Sequence, residues 1–173
     1  MPERSAISVI VPCWRDERAL ARLLDGLGEL FARAEIISEI IVVDGADNEQ
    51  CRQLCERYAA RWLPAKPCRG EQLRLGASHA RHPLLWFLHA DAQLHGDPLP
   101  AMQKAIASGA TGGYFRFRFA GRTGWQGKLL EQLITCDAGS ACLMEIRACS
   151  SKLMLTSAAD STVPGRCSKK SNW

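Results

Sequence analysis

The chain has 173 residues, with 47% hydrophobic and 23% charged side chains and a formal net charge of +4. That size and balance suit one soluble globular domain with a real core, and so mild and scattered a positive excess makes no case for nucleic acid. No run nears the roughly 18 apolar residues that span a bilayer, and the start, Met1-Pro2-Glu3-Arg4, carries no export signal, so a cytoplasmic location is expected.

Ile7-Ser8-Val9-Ile10-Val11-Pro12 is a β-branched run closed by proline, the pattern of a buried parallel strand. Asp16 suits a helix cap or first turn, and Leu20, Leu23, Leu24, Leu27, Leu30 and Phe31 then form one apolar stripe. Ile40-Ile41-Val42-Val43 is a second buried strand ending on Asp44-Gly45, and the polar turn 46–49 opens a second helix through Leu54 and Tyr58. Trp62-Leu63-Pro64 makes a short third strand, Gly70 to His79 a helix, and Leu84 to Leu88 a fourth strand ending at His89-Ala90-Asp91. A helix around Met102 to Ala107 precedes Tyr114 to Phe119, where aromatic and basic residues alternate as in a strand with one buried face. Trp125 to Leu133 reads as a further amphipathic helix.

Strict alternation of strand and helix predicts an α/β fold with a mostly parallel sheet flanked by helices. Ligands in such sheets sit at the carboxyl ends of the strands, which selects Pro12-Cys13, Asp44-Gly45 and His89-Ala90-Asp91. The eight cysteines show no paired zinc spacing and read as reduced thiols, with no disulfide framework expected.

Neither a glycine-rich dinucleotide fingerprint nor a P-loop follows the first strand. A carboxylate at Asp44 can accept from a base N–H or a ribose hydroxyl, and it equally suits a turn cap. Asp91 can hold a divalent cation that bridges diphosphate oxygens, with His89 a better ligand for manganese than for magnesium. Arg69 and Arg74 can pair with phosphate or lie on a solvated helix face.

Taken together, four ordered motifs resemble the family-2 glycosyltransferases, whose fold is termed GT-A. Ile7 to Glu17 (ISVIVPCWRDE) is similar to the family's opening strand, proline and Asn-Glu-like pair. Ile41 to Glu49 (IVVDGADNE) is similar to its Val-Asp-Gly-Gly-Ser-Thr-Asp turn, with Ala46 and Glu49 as departures. Arg69 to Ala77 (RGEQLRLGA) resembles its Gly-Arg…Gln…Asn-x-Gly-Ala helix, and Phe87 to Leu94 (FLHADAQL) its metal-binding Asp-x-Asp segment. The histidine variant of that segment, with Gly112 to Phe117, is similar to one bacterial subgroup, the radical-SAM/selenodomain-associated transferases linked to arsenosugar biosynthesis. The resemblance covers residues 5–134, the expected nucleotide-sugar-binding domain.

The resemblance implies a Rossmann-like sheet and transfer of a sugar from a nucleotide-diphospho-sugar to an acceptor it does not identify. By position it implies that Cys13 and Glu17, beside Pro12, flank the base and that Asp44 binds base or ribose. Arg69 would contact base or phosphate, and Asp91 with His89 would hold a manganese or magnesium ion. It assigns no catalytic base. Peripheral membrane contact stays open, because many relatives act on lipid acceptors.

After about Leu133 the periodicity stops, and two later family motifs are missing: Pro-Tyr-Gly-Asp-Gln-Gly-Leu-Phe and Met-Glu-Asp-Val-Glu-Leu. Read one nucleotide earlier, codons for Cys142 to Ser150 can spell the first, its Gly after Tyr forced by Met144-Glu145. The same shift over Gly165 to Trp173 permits Pro-Leu-Leu-Glu-Glu-Val-Glu-Leu, the last Leu forced by Asn172-Trp173. The expectation is therefore a tail, 135–173, that is out of frame, poorly ordered and without the acceptor half. A non-catalytic nucleotide-binding fragment is the alternative function. A nucleotidyltransferase is disfavoured, since Cys13-Trp14-Arg15-Asp16 is a poor substitute for a glycine-rich basic loop.

Overall fold

The structure is a computed structural model that describes residues 6–34, 36–115 and 142–146. Strand and helix alternate as expected: β1 (Ile7–Cys13), α1 (Glu17–Ala34), β2 (Ser38–Asp44), α2 (Glu49–Arg57), β3 (Arg61–Pro64), α3 (Arg69–His79) and β4 (Leu84–Phe87). They are followed by α4 (Leu99–Ala107), β5 (Gly112–Phe115) and β6 (Cys142–Ile146). The six strands form one sheet in the order β3-β2-β1-β4-β6-β5. β1 pairs parallel with β2 and with β4, and β2 parallel with β3, whereas β6 runs antiparallel to both β4 and β5.

Side-chain alternation along β1 divides the core. Ile7, Val9, Val11 and Cys13 join the cluster that holds the buried stripe of α1, Cys51, Leu54 and Cys55 of α2, and Leu99 and Met102 of α4. Ile10 points the other way, into a smaller cluster with Ala77 of α3 and Leu85 and Phe87 of β4. Each leucine of the α1 stripe, removed from water, contributes about 1.5–3 kcal/mol before chain entropy is charged against it.

The two faces follow from handedness. Successive right-handed crossovers carry the chain from β1 through α1 to β2 and through α2 to β3, all on one side. The next crossover reverses direction to reach β4 on the far side of β1, which puts α3 on the opposite face. The gap beyond the carboxyl ends of β1 and β4 is therefore the topological switch point. α3 lies close to the sheet because Gly76 has no side chain: a Cβ there would sit 2.4 Å from Ile10 Cγ2 and 3.1 Å from Val43 Cγ2.

At the other end of the strands the α3–β4 loop is tied down by polar groups. The buried Ser8 hydroxyl donates to Glu39 Oε1 at 2.5 Å, the Arg81 N–H donates to the same oxygen at 2.5 Å, and the His82 N–H donates to Ser8 Oγ at 3.1 Å.

β6 places Cys142–Ile146, from the segment expected to lack an evolved fold, inside the sheet between β4 and β5. The expected strand at 114–119 is represented by Tyr114 and Phe115 within β5. Its continuation, the helix expected at 125–133 and the rest of 135–173 lie outside the described residues.

Candidate functional site

A cleft of about 280 Å³ opens at the switch point. Its walls are the end of β1 with the following turn (Pro12, Cys13, Trp14, Asp16), the start of α3 (Pro67, Arg69, Gln72), and the turn after β4 (His89, Ala90, Asp91). Of the residues singled out from the sequence, Pro12, Cys13, Arg69, His89 and Asp91 thus meet at one place.

Helical geometry explains the α3 contribution. Arg69, Gln72 and Gly76 recur at three- and four-residue spacing, so they share the face that packs on the sheet. The helix runs against the strands, and its first residue, Arg69, lies level with their carboxyl ends. The Arg69 guanidinium touches the His89 imidazole directly. Burial, then the neighbouring Arg69 charge, holds the His89 pKa below its usual range, and Asp91 only partly offsets them. Burial likewise lowers Arg69 against the pull of Asp91. The Arg69 guanidinium therefore stands between a neutral-leaning imidazole and the exposed Asp91 carboxylate.

The Cys13 thiol does not reach for a ligand. It lies with the α1–α2 core, and a hydrogen bond to the Cys51 thiol, followed by burial, pushes its pKa far above the ordinary thiol range. Cys13 can serve the cleft through its backbone and its position, as a neutral wall.

Asp44 and Glu17 stand behind the cleft wall. Asp44 is fully buried; its Oδ1 accepts from the Ala46 N–H at 2.9 Å, and its Oδ2 from the Asn48 N–H at 2.7 Å and from Trp62 Nε1 at 3.4 Å. Asn48 Nδ2 donates to Glu17 Oε1 at 2.6 Å, and Asn48 Oδ1 accepts from the Gln50 N–H at 2.9 Å, capping α2. In this arrangement the Asp44 carboxylate organises the β2–α2 turn, the turn-cap role the sequence had left open for it. Glu17 fastens that turn to α1.

Several lining residues have no site role in the sequence reading: Asp16 reads only as a helix cap or first-turn acid, Gln72 only as part of the α3 motif, and Trp14 and Pro67 are given none. Trp14, 37% exposed, stands on the rim with the Arg15 guanidinium 5.2 Å from its ring centre. Pro67 lines the wall, and Gln72, only 4% exposed, lies deep within it. The signal for Gln72 was present: a long polar side chain one turn after Arg69 and one turn before Gly76 and Ala77, on the face that packs on the sheet.

A mostly parallel α/β sheet with a cleft at its switch point, where arginine, histidine and aspartate converge, defines the class of open α/β proteins that carry their ligand sites at the carboxyl ends of the strands. Within that class the chain belongs to glycosyl transferase family 2, whose family model matches residues 8–135. A dolichyl-phosphate beta-glucosyltransferase of Trichomonas vaginalis is 25% identical over 119 residues, covering 62% of this chain and 37% of that protein. The chain therefore spans little more than a third of the length of that relative.

Among solved structures, mannosyl-3-phosphoglycerate synthase from Rubrobacter xylanophilus superposes with a TM-score of 0.62 at 15% identity, over 82% of this chain and 54% of that one. S. aureus TarS gives a TM-score of 0.58 at 21% identity, over 70% and 23%. Glucosyl-3-phosphoglycerate synthase from Mycobacterium tuberculosis, in complex with Mn2+, UDP and glucosyl-3-phosphoglycerate, gives 0.55 at 18% identity, over 83% and 57%. At these identities the likeness is one of fold.

Proposed function

We propose that the chain is the donor-binding part of a glycosyltransferase and that its cleft takes the nucleoside diphosphate of a nucleotide-sugar. The observation that carries this reading is the meeting of Arg69, His89 and Asp91 at the β1–β4 switch point. Arg69 pairs with diphosphate oxygens, and the exposed indole of Trp14 offers a face for the base. Pro12 and Cys13 form the floor, and Glu17 and Asp44 hold the adjoining turn.

A divalent cation, manganese or magnesium, fits this donor set. Among the described residues no three of His, Cys, Asp and Glu stand together as a complete metal shell. Asp91 would supply a carboxylate oxygen, and His89 an imidazole nitrogen once Arg69, which touches it in the structure, turns to the diphosphate; a hard cation bound through one or two side chains takes the rest of its shell from phosphate and water. When bound, such an ion neutralises charge on the leaving diphosphate. Arg69 orients that diphosphate, and the buried neutral His89 adds no second positive charge beside it. The resemblance assigns none of the described residues to deprotonating an acceptor.

Binding measured by calorimetry with UDP and GDP, with and without manganese, tests the reading. Arg69→Ala is expected to weaken binding about tenfold or more, and Asp91→Ala to abolish the effect of manganese. Failure of both diphosphates to bind the unaltered chain sinks it.

The radical-SAM-associated subgroup and the out-of-frame tail belong to the same reading. Support for the subgroup is the Phe87-Leu88-His89-Ala90-Asp91 segment with Gly112 to Phe117. Support for the shifted frame is that one shift permits the first missing motif and a close variant of the second, in order. In this reading the chain binds donor and transfers poorly or not at all. The non-catalytic alternative rests on the same missing motifs. A frame-corrected protein that gains transfer favours the enzyme, and one that only binds favours the alternative.

A further inference from the structure

Gln72 is nine-tenths buried and sits where two strands end. Its Nε2 donates to the Cys13 carbonyl at 2.9 Å and to the Val43 carbonyl at 2.7 Å. An amide nitrogen has two protons, so both are committed. The amide cannot turn over, because a flipped Gln72 would set its own oxygen against two carbonyl oxygens. The other side of the group is different: Oε1 accepts from no described residue. It is not sealed off either, since no buried polar side-chain atom among the described residues lacks a partner, and Gln72 lines the cleft. One end of the amide is thus held rigid by the strands, and the other is open to a donor that enters the cleft.

We propose that Gln72 Oε1 is a fixed hydrogen-bond acceptor for the bound nucleoside, taking an N–H of the base or a hydroxyl of the ribose. The inference rests on the nucleotide reading of the cleft. It adds a specificity-determining contact opposite Arg69: the arginine, one turn of α3 earlier, meets the anionic end of the ligand, while Gln72 meets a neutral donor. Because the strand carbonyls set the amide plane, the acceptor is preorganised and discriminates against ligands that lack the donor.

The test is a cycle between residue and ligand, read by calorimetry on the full chain. Gln72→Met keeps the length and removes the amide. Uridine and guanosine diphosphates are compared with their 2′-deoxy forms and with forms methylated at the imide nitrogen, N3 or N1. The unaltered protein is expected to lose about tenfold in affinity for one analogue class and not the other. In Gln72→Met that discrimination disappears, the parent nucleotide having fallen to the level of the analogue. Loss with the methylated base assigns the imide N–H, and loss with the deoxy sugar assigns the ribose hydroxyl.

An equal penalty for every ligand makes Gln72 a structural staple only and overturns the proposal. Should Gln72→Met fail to fold, the series on the unaltered protein still decides, because equal binding of parent and both analogues overturns it as well. Absence of binding by any diphosphate to the unaltered protein removes the nucleotide reading itself, a separate and earlier failure.

Discussion

Asp44 illustrates what one buried carboxylate can do when its partners are its own turn. It has no exposure, and its oxygens accept from Ala46, Asn48 and Trp62. Asp44→Ala leaves those donors stranded and is expected to cost roughly 3 kcal/mol in denaturant unfolding, more than the loss of an ordinary hydrogen bond. His89 gives the matching prediction for acid. Its pKa is lowered from 6.5 in the folded protein, so below that pH the unfolded chain binds more protons than the native one. Stability contributed at neutral pH is lost as the pH falls from 6.5 toward the lowered value and levels off beneath it. Melting temperatures measured without metal from pH 7.5 to 5 check this, with His89→Gln flattening the slope. The strand-end positions of both residues were legible in the sequence from the β-branched runs that precede them. Their partners were not, because Arg69 comes to His89 only through the crossing of α3 over the sheet.

Helices and strands were read with little error wherever periodicity was strong. The stripe from Leu20 to Phe31 gave α1, and the β-branched runs gave β1 and β2. α3 was harder: its sheet-facing side is built from Gln72, Gly76 and Ala77 rather than from large apolar residues, so hydrophobic pattern says little about which way it faces. Glycines in α1 and α3 separate packing from propensity. Gly76→Ala drives a methyl into Ile10 and is expected to destabilise by about 1–3 kcal/mol and to weaken nucleotide binding by displacing Arg69. Gly26, mid-helix in α1, has nothing within 4 Å of a built Cβ, and Gly26→Ala is expected to stabilise by about 0.5–1 kcal/mol. Opposite signs from the same substitution, read as unfolding midpoints, check the close approach of α3.

For the whole molecule, the parallel half of the sheet and the location of the cleft followed from the alternation of elements. The insertion of β6 between β4 and β5 did not, because an antiparallel strand arriving late in the chain leaves no local signature of its neighbours. Among the described residues no helix is long and apolar enough to cross a membrane. The prediction at this scale concerns the gene: DNA over codons 130 to 173 is expected to encode Pro-Tyr-Gly-Asp-Gln-Gly-Leu-Phe and then Pro-Leu-Leu-Glu-Glu-Val-Glu-Leu in the frame one nucleotide earlier. A minus-one frame without them ends that proposal.

The position of β6 also sets an order of assembly. β3, β2, β1 and β4 pair with one another through residues that precede Leu88, whereas the ladder to β6 joins Leu84 to Ile146 and Trp86 to Met144. During synthesis the four-stranded part can zip together while the outer border of β4 still has no neighbour. Until the ribosome has released residues beyond 146, Leu84, Leu85 and Trp86 present unmatched backbone groups on an apolar strand, a template for another nascent chain. Yield on refolding should therefore depend on dilution, and crowding of unfinished chains is the hazard this topology carries.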